Sequence, residues 1–137
     1  MYYYSNTPGG SLFERIDPRS PTPLYAQIAE RVRGAIAAGE LRPADPLPSV
    51  RDLAAQLRVN PATVVQAYRD LEHEGFVEIR HGTGSFVREL APGRKARERS
   101  RQARALVRRL LTDARRIGVS PADLQGAFDA EMGVKAP

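Results

Sequence analysis

Between Ser49 and Thr83 the chain gathers side chains suited to holding a polyanion and reading a base edge: Ala62, Thr63, Gln66, Arg69, Arg80 and His81. The Gln66 amide can bond adenine through two hydrogen bonds, Thr63 can bond a base or a phosphate, and Ala62 or Val65 can touch a thymine methyl. Arg80 and His81 flank a glycine-rich tip, Gly82-Thr83-Gly84, that is narrow enough to approach the negative potential of a minor groove. That chemistry is recognition rather than bond-making. The sequence shows no Ser-His-Asp order, no paired carboxylates in an evident cleft, no Walker-type loop and no dinucleotide glycine motif. His73 and His81 are the only histidines and there is no cysteine, so no metal-ligand spacing arises and neither metal nor cofactor is expected.

The elements that must position these groups can be read in order. Ser49 opens a capping-box-like pattern with Asp52 in place of the usual Glu or Gln. Val50, Leu53, Ala54 and Leu57 then recur at the spacing of one helical face, until Arg58 and Val59 break the period. A second helix starts at Asn60, a favoured N-cap, with Pro61 where a helix tolerates proline. Its inward stripe is Val64, Tyr68 and Leu71, and Gly75 is its stop, so the recognition helix spans 60–74. Its other face, Ala62, Thr63, Gln66 and Arg69 with Val65 at the edge, is left for a partner, and its N-terminus is expected to offer N–H groups to phosphate. Helices joined by so short a turn cross steeply, as in a helix-turn-helix. Runs 76–80 and 85–88 have strand composition and flank the tip 81–84, giving a hairpin that lends Phe76, Val77, Ile79, Phe86 and Val87 in part to the core. Tyr25 and Tyr68 belong to apolar stripes and read as core rather than as base-stacking platforms.

Together with upstream segments in the same order, Phe13-Glu14-Arg15-Ile16-Asp17, Pro23-Leu24-Tyr25-Ala26-Gln27-Ile28, Gly39-Glu40-Leu41 and Leu47-Pro48-Ser49-Val50-Arg51-Asp52-Leu53-Ala54, this arrangement resembles the GntR-type winged helix regulators, and within them the YtrA-like subfamily. The resemblance implies DNA contacts from Arg51 at the start of the first reader helix, from Thr63, and from His81 and Gly82 at the wing. Ser49, Asn60 and Thr83, at the two helix starts and in the wing tip, complete the expected DNA-binding set. Where many relatives carry Ser, Arg and Asn or Thr, this chain has Asn60, Pro61 and Ala62, an Asn-Pro start common in the YtrA-like branch. Arg58 stands where the turn often has Gly, and a left-handed backbone there costs an Arg on the order of 1 kcal/mol.

Charge is unevenly distributed along the 137 residues, whose formal net is +5. Residues 20–91 hold eight Arg against nine Asp or Glu, a net of −1, whereas residues 94–116 hold ten Lys or Arg against Glu98 and Asp113, a net of +8. The break falls at Ala91-Pro92-Gly93. Four parts are therefore expected: a flexible lead over 1–11, a winged helix-turn-helix domain over 12–90, a linker over 91–94 and a helical dimerisation region over 95–137. The fold class is mainly α with a small β-hairpin wing (α+β), a winged helix-turn-helix domain with a short C-terminal two-helix appendage. The 46 residues after Ala91 are too few for the large effector or aminotransferase-like domains of other GntR branches.

In the tail, Ala103, Leu106, Val107, Leu110, Leu111, Ala114 and Ile117 recur at helical spacing until Gly118, and Ser120-Pro121 starts a second helix with Leu124, Phe128 and Met132 four apart. Two such helices cannot bury both stripes alone; packing against the winged domain or against another copy would cover them, and a homodimer is expected through Leu106, Leu110, Leu111, Ile117, Leu124 and Phe128. The expected partners are a double-stranded DNA operator and a second copy, with no membrane; no inducer pocket is visible in the sequence, and if a small-molecule effector exists its expected place is between the tail helices and the winged domain. The expected role is a cytoplasmic, non-enzymatic regulator, most simply a repressor, reading a palindrome. Two other readings stay open: a winged module for protein assembly, and a basic amphipathic tail docking on anionic membrane.

Overall fold

The computed structural model describes residues 12–14 and 16–133, so the expected lead over 1–11 lies outside the described residues. The order of elements is α1 (Leu24–Ala38), α2 (Val50–Leu57), α3 (Pro61–His73), β1 (Val77–Arg80), β2 (Gly84–Val87), α4 (Arg94–Arg116) and α5 (Pro121–Met132). The chain divides into two compact units, Met1–Arg99 and Ser100–Pro137. The architecture is mainly helical with one two-stranded antiparallel sheet, a winged helix.

In the first unit the core forms around α3. Val64, Ala67, Tyr68 and Leu71 are buried on one face, and the helix packs on α1, α2 and β1. The most extensive partner is α1, which contributes Ile28, Ala29, Val32, Ala35, Ile36 and Ala37. No side chain caps its start; its end closes instead at Gly39, φ +83°, where the Glu40 N–H donates to the Ala35 carbonyl at 2.9 Å. Arg33 joins α1 to the end of α3 by pairing with both Glu30 (3.1 Å) and Glu74 (2.9 Å).

Core membership departs from expectation at Tyr25, and within the hairpin Phe86 is the residue left out of the core. Tyr25 shares the helical face of Ile28 and Ala29, but it sits one turn ahead of them and is exposed. Phe86 is only half-buried, and its ring carries the Arg80 guanidinium 4.6 Å from its centroid instead of packing inward. Phe76, Val77 and Val87 do enter the core, Ile79 packs against it, and Phe13 joins from upstream.

The turn between α2 and α3 has the left-handed residue that the sequence placed there, Arg58 at φ 57°, ψ 46°. Its neighbour Val59 donates to the Ala54 carbonyl at 3.0 Å, so the strain closes the helix end. A second left-handed non-glycine, Ala44 at φ 74°, follows Pro43 in a turn that returns the chain along β2. There Ala44 and Leu47 donate to the carbonyls of Val87 and Ser85, Val87 donates to Asp45, and Pro46 bridges Phe86. This segment covers the outer edge of β2, which otherwise would expose unpaired backbone groups.

The second unit consists of most of α4 with α5. Gly118, φ +77°, ends the first helix, and α5 starts with a complete capping box between Ser120 and Asp123. Ala114 is buried, Leu111 and Leu124 are half-buried, and Leu106, Val107, Leu110, Ile117, Phe128 and Met132 are exposed.

The Tyr68 hydroxyl donates to the Pro48 carbonyl at 2.7 Å, tying α3 to the residue before the α2 cap. Tyr68→Phe orphans that carbonyl and is expected to lower stability by about 1–2 kcal/mol with helix content unchanged, measured by urea unfolding followed by circular dichroism.

Candidate nucleic-acid interface

A helix turns roughly 100° per residue, so the face of α3 opposite Val64, Ala67, Tyr68 and Leu71 carries Ala62, Gln66, Arg69 and His73 in one stripe. All four are exposed. Three of them are expected site residues. His73 is the one that sequence reasoning missed, although its place four residues after Arg69 continues the stripe. Thr63 lies at the side of this face, half-buried, with a hydroxyl that bonds no other described residue. Local capping falls to Asn60, whose Oδ1 accepts from the Ala62 N–H at 2.9 Å.

This cap changes one expectation. Pro61 has no N–H, Ala62 donates to Asn60 Oδ1, and Thr63 donates to the Asn60 carbonyl at 2.9 Å. The start of α3 therefore has no free first-turn donors for phosphate. The start of α2 keeps them. Ser49 Oγ accepts only from the Asp52 N–H (3.0 Å), and the N–H groups of Val50 and Arg51 donate to no other described residue. The Arg51 side chain projects from that same turn, exposed and in no ion pair among the described residues.

On the rest of the stripe, the Gln66 amide donates to Asp70 Oδ1 at 2.8 Å, which holds the side chain along the helix while leaving its carbonyl oxygen and second N–H open. Arg69 is exposed and unpaired among the described residues.

The wing is narrower than the sequence suggested. Gly84 pairs with Arg80 across the hairpin, so the loop is only residues 81–83, closed by the Thr83 N–H donating to the Arg80 carbonyl at 3.0 Å. Gly82 holds φ +78° at the position where a type II turn requires it, with open space around its Cα. His81, Gly82 and Thr83 are exposed. Arg80 is not free at the tip: besides stacking on Phe86 it pairs with Glu78 at 3.3 Å. On the other edge of β1, Glu72 of α3 accepts from the Ile79 N–H at 2.9 Å and so fastens the wing to the helix.

The expected residues thus come together on two packed helices, with Ser49 and Arg51 on α2 and Asn60, Ala62, Thr63, Gln66 and Arg69 on α3, and on a hairpin that follows α3 directly. Among the described residues no group of His, Asp and Glu is arranged to hold a metal, and no helix is long and apolar enough to cross a membrane.

Comparison with known proteins addresses the same segment. Residues 24–87, from α1 to the end of the wing, match the family model described as bacterial regulatory proteins, gntR family. Over 105 residues the chain is 38% identical to the HTH-type transcriptional repressor YtrA of Bacillus subtilis, covering 77% of this chain and 81% of that protein. The chain belongs to the gntR family. It is a DNA-binding transcriptional regulator of that family. Among solved structures, a GntR family transcriptional regulator from Listeria monocytogenes aligns with TM-score 0.64 and 27% identity, covering 81% of this chain and 96% of that one. YtrA from Sulfolobus acidocaldarius, a GntR-family transcription factor, aligns with TM-score 0.53 and 38% identity, covering 72% and 96%. The resemblance drawn from the ordered motifs is therefore that of a true family member.

The hydrogen bond from Arg80, and then its charge, hold the Glu78 carboxyl below the ordinary glutamate range. A depressed carboxylate contributes stability above its unfolded pKa and loses it as pH falls through its folded one. Side-chain NMR titration is therefore expected to find Glu78 deprotonating below the usual range, and Arg80→Ala is expected to return the transition upward.

Proposed function

We propose that the protein is a repressor that binds a palindromic operator as a homodimer, with α3 in the major groove and the wing tip at the minor groove, and that occupancy blocks transcription. The observation that carries the reading is the polar stripe of Gln66 and Arg69 with Ala62, exposed along a helix whose opposite face is locked into the core. In a major groove Gln66 pairs with adenine and Arg69 reaches a guanine edge or a phosphate. Thr63 adds its open hydroxyl. Arg51 and the free N–H groups beside it grip the backbone, with Ser49 and Asn60 next to them at the helix starts. Arg80, His81, Gly82 and Thr83 form the minor-groove end. The repressor assignment draws on the name of the Bacillus subtilis relative.

Dimerisation follows from the second unit, where Leu106, Leu110, Ile117 and Phe128 stand exposed and Leu111 and Leu124 are only half-covered. A second copy supplies the matching apolar surface, and two-fold symmetry then requires two half-sites roughly 34–36 Å apart or a nearby spacing.

The test is fluorescence anisotropy against a duplex recovered by selection and a scrambled duplex. Gln66→Ala and Arg69→Ala are each expected to cost about 1–3 kcal/mol on the selected duplex and little on the scrambled one. Equal binding of both duplexes by the unaltered protein overturns the reading. Leu110→Glu is expected to give a monomer by analytical ultracentrifugation, with operator affinity reduced at least tenfold.

A further inference from the structure

The segment from α1 through the wing carries little of the charge that a polyanion rewards. Residues 20–91 sum to −1, and within them Arg33 is committed to Glu30 and Glu74, and Arg80 to Glu78. The surplus sits on α4, and on that helix it is ordered. Projected at roughly 100° per residue, Arg104, Arg108 and Arg115 fall within about 40° of one another. The exposed apolar side chains Leu106, Val107, Leu110 and Ile117 lie on an arc centred roughly 140° from them. All three arginines are exposed, and none pairs with a carboxylate among the described residues. The helix's only acidic residues, Glu98 and Asp113, are off the row. In α5, Asp123 is occupied by the Ser120 cap and Asp129 accepts from Gln125 at 3.0 Å. A partner copy centred on that exposed arc lies on the other side of the helix from the row.

We propose that the row of Arg104, Arg108 and Arg115 is a sequence-independent anchor for the DNA backbone, separate from the reading stripe on α3. The proposal rests on the DNA-binding reading and divides its labour: α3 supplies discrimination, and α4 supplies most of the salt-dependent affinity. Double-stranded DNA presents a charge about every 1.7 Å of axis, so each of three arginines spread over about 16 Å of helix has a phosphate to meet without a defined register. Guanidinium suits this role because it stays charged and bonds phosphate through two N–H groups.

The experiment is the slope of log affinity against log salt, measured with the selected and the scrambled duplex for the full chain and for the triple variant Arg104→Gln, Arg108→Gln, Arg115→Gln. Removing one arginine–phosphate pair lowers the slope by about 0.9, so a fall of roughly 2–3 per protomer is expected on both duplexes, with the ratio of their affinities unchanged. The double variant Arg109→Gln, Arg116→Gln removes charge from the same helix off the row and is expected to change the slope by less than one. Circular dichroism and ultracentrifugation identify a triple variant that has lost its fold or its assembly, in which case the three single variants are measured instead, each expected to lower the slope by about one. An unchanged slope overturns the proposal, as does an equal fall in the off-row variant. Row-dependent binding to phosphatidylserine vesicles with duplex slopes unchanged also overturns it and assigns the row to a membrane. Failure of the unaltered chain to distinguish the two duplexes refutes the operator reading and is separate from all of these.

Discussion

Burial of one face of α3 is the constraint on which the rest of the structure depends. Val64, Ala67, Tyr68 and Leu71 have almost no exposed surface, and they hold the helix against α1, α2 and β1 at once. With that face fixed, the rotation of the helix about its axis is fixed, and Ala62, Gln66 and Arg69 can only point outward. Side chains that read bases must be presented without freedom to slip, because a misplaced bidentate bond loses most of its discrimination. Truncating a fully buried member such as Leu71 would remove on the order of 2–5 kcal/mol and loosen that presentation.

Polar contacts around the helix serve the same end. The Tyr68 hydroxyl fixes the approach to α2, Glu72 fastens the first wing strand, and Arg33 clamps the last turn through Glu74. None draws on a side chain of the reading stripe, so the stripe stays free. The Arg33 pair also commits a cation within a segment, residues 20–91, whose net charge is already −1, which makes the basic tail physically informative.

Much of this is legible in the sequence because local signals are strong. Asn60-Pro61, Gly75 and the Val64, Tyr68, Leu71 spacing mark the recognition helix to within a residue of α3, and Arg58 adopts the left-handed conformation that its place between two helices demands. The hairpin and both tail helices are also readable. Other features depend on tertiary context. The helix α1 has no side-chain cap, so its large share of the core is visible only as a family motif. The pairing of residues 44–47 with β2 joins segments about forty residues apart and leaves no periodic trace. Phe86 and Tyr25 read as core by their type, and the structure shows the aromatic faces used elsewhere: one carries a guanidinium and the other overhangs the end of the core stripe. At the site, the stripe can be read, but the capping bonds that consume the first donors of α3 and leave those of α2 open cannot.

The central claim is that the exposed stripe of α3 lies on the bases of its operator, and the absence of native cysteine permits a direct measurement. An iron chelate tethered at Gln66→Cys generates radicals that cut DNA locally, with Glu40→Cys, beyond the end of α1, as reference. The account predicts strong cutting confined to two symmetric half-sites from the Gln66 position and weak cutting from the reference. Even cutting along the duplex, or stronger cutting from position 40, would contradict it.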